Sequence, residues 1–210
     1  TASVNKRTGY ITTLVGIAAK KGWIDEAIRG DIRLTVPEGE DDREPYSDDD
    51  LKTIFGHPLF TERQAMPSAS QLGVLPFWLP LISCLHGMIS SEILQLGPDT
   101  IKCYPGTDIL CFQVTTLGGR HVKTEQRRRW MPIRQELLAM GLGELVGQAK
   151  SNAWKTLWQP VEDKAGDTET ISQQFSQFWG GFARNELKIT DPQKVLYSLR
   201  HSFKDAIGPA

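Results

Sequence analysis

Cysteine is scarce, and what there is does not pair up. Cys84, Cys103 and Cys111 are an odd number without C-x-x-C spacing, which argues against a disulfide frame or a zinc site and for a reducing compartment. Long hydrophobic runs are missing as well. The longest apolar stretch, Leu72 to Leu85, is interrupted by Gly73, Pro76, Pro80 and Ser83 and falls short of the ~20 residues that a membrane-spanning helix needs. No leader with a charged and then an apolar segment opens the chain, so a soluble, cytoplasmic protein without membrane contact is expected. Cys84 and His86 stand too isolated to be metal ligands, and neither a metal nor a cofactor is expected. No internal repeat or low-complexity tract occurs. What is present is the make-up of an ordinary globular chain: 210 residues, 40% hydrophobic and 23% charged, enough to bury a sizeable core and unlike a disordered tail or a fibre.

An excess of either charge is absent in sum, with a net charge of -1, but its distribution is uneven. From Glu38 to Asp50 eight acids face one base, Arg43, whereas from Arg120 to Glu136 six bases face only Glu125 and Glu136. Either an acidic linker masks a basic hairpin, or two solvated surfaces of opposite sign offset each other.

Ser3 or Asn5 is placed to cap a helix through Tyr10, Ile11, Leu14, Val15, Ala18 and Ala19 that ends near Gly22. A chain opening on such a helix reads as cut from a longer one, with this helix the last element of an upstream domain. Pro37, Gly39 and Pro45 mark a linker up to a boundary near Tyr46. Ser47 then caps a helix from Asp48 to Phe55 with acids in its first turn; further helices are predicted from about Pro76 to Gly87 and from about Ser90 to Leu96. Between Asp99 and Ile133 the period changes. Residues 101–104, 109–115 and 130–133, separated by Pro105-Gly106 and Gly118-Gly119, predict a small antiparallel sheet with a hairpin. Helix returns through Leu137 to Leu145, broken at Gly141 to Gly143, then from Ile171 to Leu187 and from Val195 to Ile207. Phe175, Phe178, Trp179 and Phe182 recur at helical spacing and are expected in the core. The fold class expected is mainly α with a small antiparallel β-sheet, α+β.

The segment Lys194-Val195-Leu196-Tyr197-Ser198-Leu199-Arg200-His201-Ser202-Phe203-Lys204-Asp205-Ala206 resembles the second catalytic box of the tyrosine recombinases, the phage integrase family, in which His-x-x-Arg is followed by a His-Thr/Ser-Phe helix. Arg200, His201, Ser202 and Phe203 match, and Tyr197 stands at the position of the first histidine. Three other stretches keep the family's order. Ser47 to Phe55 is similar to the helix that opens the catalytic domain. Gly87-Met88-Ile89-Ser90-Ser91-Glu92-Ile93-Leu94-Gln95-Leu96 resembles the first box, Gly-Met/Leu-Arg-x-x-Glu-Leu-x-x-Leu. Val122-Lys123-Thr124, with Pro132-Ile133 after a basic run, is similar to the β-hairpin lysine and its following strand.

The resemblance covers nearly the whole chain and implies a tyrosine recombinase catalytic-domain-like fold. It divides the chain into residues 1–30, the last helix of an N-terminal core-binding (SAM-like) domain; 31–46, the acidic linker; and 47–210, a catalytic-like domain that is C-terminally incomplete. It implies binding of duplex DNA at a recombination site, association with the nucleoid and a homo-tetramer on paired sites. In intact members strands are cleaved and exchanged through a phosphotyrosine, without metal or cofactor.

In-line attack on a phosphodiester gathers negative charge on the non-bridging oxygens, which a bidentate guanidinium is suited to stabilise. The catalytic set implied is Arg200 for that task, Lys123 as general acid to the departing sugar oxygen, Glu92 orienting its cationic neighbours, and Tyr197 donating a hydrogen bond to phosphate. The DNA-contacting set is Arg120, Lys123, Arg127, Arg128, Arg129 and Arg200, joined by Lys6 and Arg7 from the first helix; no metal ligand is implied. Simpler roles stay open: Lys123 merely solvated, Arg200 paired with an acid such as Asp205, Glu92 in a surface ion pair, His201 structural. Ile89 stands in place of the family's first catalytic arginine, a loss that typically costs about 10²–10³ in rate, and the sequence stops before the family's later His/Trp and nucleophilic tyrosine. Two other functions are therefore carried forward, a catalytically inactive DNA-binding relic or regulator and a protein-interaction module without DNA.

Overall fold

In the computed structural model of the chain, which describes residues 2–25, 43–121 and 127–208, helix dominates and the strands form one small antiparallel sheet, as an α+β fold requires. The chain divides into two compact units, Thr1–Asp42 and Arg43–Ala210. The first holds a single described helix, α1 (Ala2–Lys20), on which Tyr10, Ile11, Leu14 and Ile17 are exposed. Among the described residues no helix is long and apolar enough to cross a membrane.

The second unit opens on a capping box. Ser47 N–H donates to Asp50 Oδ2 at 2.9 Å and Asp50 N–H to Ser47 Oγ at 3.2 Å, starting α2 (Asp48–Phe55) where the sequence places it. After α3 (Pro58–Thr61) and a 3₁₀ segment (Pro67–Leu72) comes α4 (Leu75–His86), buried at every position from Leu75 to Ser83 and again at His86. A helix apolar all round is an interior one, and α10 (Ser198–Ile207) packs along it. α5 (Ser90–Ile93) follows, then β1 (Ile101–Cys103), β2 (Leu110–Val114) and β3 (Arg129–Pro132) in spatial order β1-β2-β3. The register pairs Ile101 with Phe112 and Phe112 with Met131, so Phe112 is fully buried at the sheet's centre.

α6 (Gln135–Ala139), α7 (Leu142–Ser151), α8 (Gln159–Ala165) and α9 (Thr168–Asn185) lead to α10. On α9, Ile171, Phe175, Trp179 and Phe182 are buried and Phe178 half-buried, the stripe expected of a core helix. Several expected bounds shift. α5 is a single turn rather than a helix to Leu96, α10 begins at Ser198 rather than Val195, and α9 starts at Thr168, where the Asp167 carboxylate accepts from Thr170 N–H. α8, which is short and has a proline in its first turn, was not expected at all. Gly143 lies within α7 instead of breaking it; the break is Gly141, whose φ of 87° is left-handed.

Tyr46 knots the unit together. Its buried hydroxyl accepts from Trp179 Nε1–H at 3.0 Å, and burial pushes its pKa up to about 12. Its N–H donates to Ser202 Oγ at 2.9 Å, and the Ser202 hydroxyl sits 3.1 Å from the carbonyl oxygens of both Tyr46 and Ser198. Both α9 and α10 are thereby fastened to the segment that precedes α2.

Candidate anion-binding site

α4 stops at Gly87, whose φ of 62° is left-handed and whose N–H bonds back to the Ser83 carbonyl. A Cβ at this position would collide with the Phe203 ring. The glycine therefore does two things: it ends the helix, and it lets α10 lie against that end. The Gly87 carbonyl accepts a hydrogen bond from Arg200 Nη1, whereas Arg200 Nε is shut off from solvent with no partner among the described residues.

Two residues on, Ile89 N–H donates to Glu92 Oε2 at 3.2 Å and so caps α5. The same carboxylate takes both arms of Arg129, at 2.9 Å and 2.8 Å, and only 4% of the Glu92 side chain is exposed. Burial alone would raise the Glu92 carboxyl, yet the bonds from Arg129 and the Ile89 N–H hold it below the usual carboxylate range. Trp158 Nε1–H fixes the end of the turn by donating to the Ile93 carbonyl at 2.7 Å.

Between the end of α4, strand β3 and α10 lies a cavity of about 470 Å³, whose lining includes Arg129, Trp130, Arg134, Arg200, Phe203 and Lys204; none of its described lining residues is acidic. His86 forms part of its wall, and burial pushes the imidazole down to about 4, so it is neutral near pH 7. Nε2 lies 3.2 Å from the Pro132 carbonyl oxygen, and Nδ1 is buried without a partner. The Arg134 N–H points at the same Nε2 from 3.3 Å, so the ring serves the Pro132 carbonyl or the Arg134 N–H according to its tautomer. A larger cavity, about 760 Å³, mixes both signs, with Arg120, His121 and Lys155 beside Glu162, Asp167 and Glu169. The smaller, wholly cationic one is the better anion site.

The structure brings together only part of the expected set. Arg200 and Arg129 share the cavity, and Glu92 reaches its edge through Arg129. Among the described residues Arg200 forms no ion pair with a carboxylate, Asp205 included, and uses a backbone carbonyl instead. Glu92 is in an ion pair, but a buried one rather than a surface one. Arg120 lies elsewhere, its Nη atoms 2.9 Å and 2.6 Å from the Asp99 carboxylate and its Nε bonded to the Gln95 carbonyl. The Arg127 carbonyl accepts from Arg129, and Arg128 is exposed. Tyr197, 41% exposed, is not part of the cavity lining; its ring meets that of His201 edge-on at 5.0 Å. Lys123 lies outside the described residues, as do the side chains of Lys6 and Arg7.

His86, Trp130, Arg134, Phe203 and Lys204 are not among the site residues expected from the sequence, although one period points to two of them. Arg200, Phe203, Lys204 and Ile207 share one helical face, whereas Arg129 to Pro132 line the cavity consecutively, from both sides of β3. Among the described residues no cluster of His, Cys, Asp or Glu is arranged to hold a metal ion. Comparison of the chain with protein-family models, with curated proteins and with solved structures finds no match.

Proposed function

We propose that the chain is a tyrosine recombinase-like domain that binds duplex DNA through its phosphates, with Arg200 as the central contact. One observation carries this reading. Arg200 lines a cavity with no acid among its described lining residues, and one arm rests on the Gly87 carbonyl rather than on a carboxylate. A phosphate oxygen is the acceptor that planar guanidinium geometry suits best. Lys204 adds positive charge on the same rim.

The order of the motif-like stretches supports the family assignment, with the catalytic-domain-like fold, the tetramer on paired sites and phosphotyrosine-mediated strand exchange as its implications. A second reading, DNA binding without strand cleavage, is favoured by Ile89: its side chain offers no hydrogen-bond donor where the family has an arginine, and its N–H is used by Glu92.

The test is titration of duplex DNA at several salt concentrations. Binding should weaken linearly in log–log form with salt. Arg200→Gln should cut affinity about tenfold and flatten the salt slope by about one, whereas Arg120→Gln should leave the slope as it is. Binding that is salt-independent, or indifferent to residue 200, refutes the reading and favours a protein-interaction module.

A further inference from the structure

We infer that the Arg200 cavity holds a single unstacked nucleotide of the bound DNA, its phosphate on Arg200 and its base against Trp130. The inference rests on the DNA-binding reading and adds to it the kind of DNA preferred.

Size is the first argument. A cavity of about 470 Å³ falls in the ~300–1,000 Å³ range of small-molecule sites, far more room than one phosphate group fills. Its lining is the second. Arg200 and Lys204 bring charge, whereas Trp130, Phe203 and Ile207 bring apolar and aromatic surface. Charge beside an aromatic wall is what recognition of an unpaired base uses, because every base has a face to stack and a phosphate to neutralise.

Trp130 is also held in place. The Tyr104 ring meets it edge-on at 5.6 Å, and Lys102 Nζ lies over the indole 5.6 Å from its centroid. A ring fixed beforehand loses little freedom when a base packs on it. In a paired duplex the base faces are stacked, so an intact helix can use the charged part of the cavity but not the rest.

The experiment compares three labelled DNAs by fluorescence anisotropy with the full 210-residue chain at one salt concentration: a fully paired 20-base-pair duplex, the same duplex with one bulged adenine, and the same with a bulged abasic site. The bulged adenine should bind at least about fivefold more tightly than the other two, and Trp130→Leu should bring the adenine bulge down to the affinity of the abasic one. The abasic bulge bends DNA without offering a base, and it needs no protein variant. Equal affinity of unmodified protein for the adenine and abasic bulges overturns the inference and leaves the DNA reading intact. Absence of binding to all three overturns both.

Discussion

Arg129 and Arg200 stand at the same cavity and differ in what they already hold. Arg129 is closed in a two-armed pair with a buried carboxylate, and Arg120 and Arg134 likewise have Asp99 and Glu136, whereas Arg200 has a single backbone carbonyl and a stranded Nε. A count of bases along the sequence treats the four as equal. The structure separates them into arginines that hold the protein together and one with bonding capacity left over. Positive charge in a sequence is therefore an upper bound on what is offered to an anion.

That contrast is open to attack, most forcefully at its closed end. Glu92→Gln leaves the largely buried Arg129 guanidinium without its counter-charge, and breaking such a pair typically costs ~3–5 kcal/mol, which urea denaturation reads directly. An unchanged midpoint would mean that the pair is not the clamp its geometry indicates. Next comes acid. With the His86 pKa held near 4 in the folded state against an ordinary 6.5, the unfolded chain takes up a proton below pH 6.5 that the folded chain refuses. The contribution is complete above that pH and drains away as pH falls toward 4, on the order of 3 kcal/mol in all. His86→Phe should shrink the loss of thermal stability between pH 6.5 and 4. The same decline in the variant would assign the acid sensitivity elsewhere. The smallest effect belongs to Asp99→Asn. Its carboxylate is 64% exposed although Arg120 is not, and the stability change should stay below ~1 kcal/mol; a cost as large as that of Glu92→Gln would erase the distinction between the two paired arginines.

Much of the fold was legible in the residues because local rules decide it. Ser47 with Asp50 fixes a helix start, the period-2 runs around Pro105-Gly106 give the sheet, and the α9 aromatics fall on one buried stripe. Less of the site was legible, because long-range contacts make it. Nothing near Gly87 in sequence announces that its missing side chain seats Phe203, and nothing near Ser202 announces Tyr46, 156 residues away. For Glu92 the sequence leaves open a site role and a surface ion pair. Which partner closes it, and whether water reaches it, depends on where β3 lies against α5.

The His86 imidazole has a consequence for how molecules of this protein meet one another. β3 is at the margin of the sheet, and such a strand normally offers a row of unsatisfied backbone groups to any extended peptide that drifts by. Here Nε2 of His86 lies 3.2 Å from the Pro132 carbonyl oxygen and 3.3 Å from the Arg134 nitrogen and bonds one or the other, while residue 132 has no N–H to present. A foreign strand arriving there finds few free rungs. The ring that walls the cavity also acts as a stopper against runaway sheet extension, so its loss should show in concentrated solution as self-association.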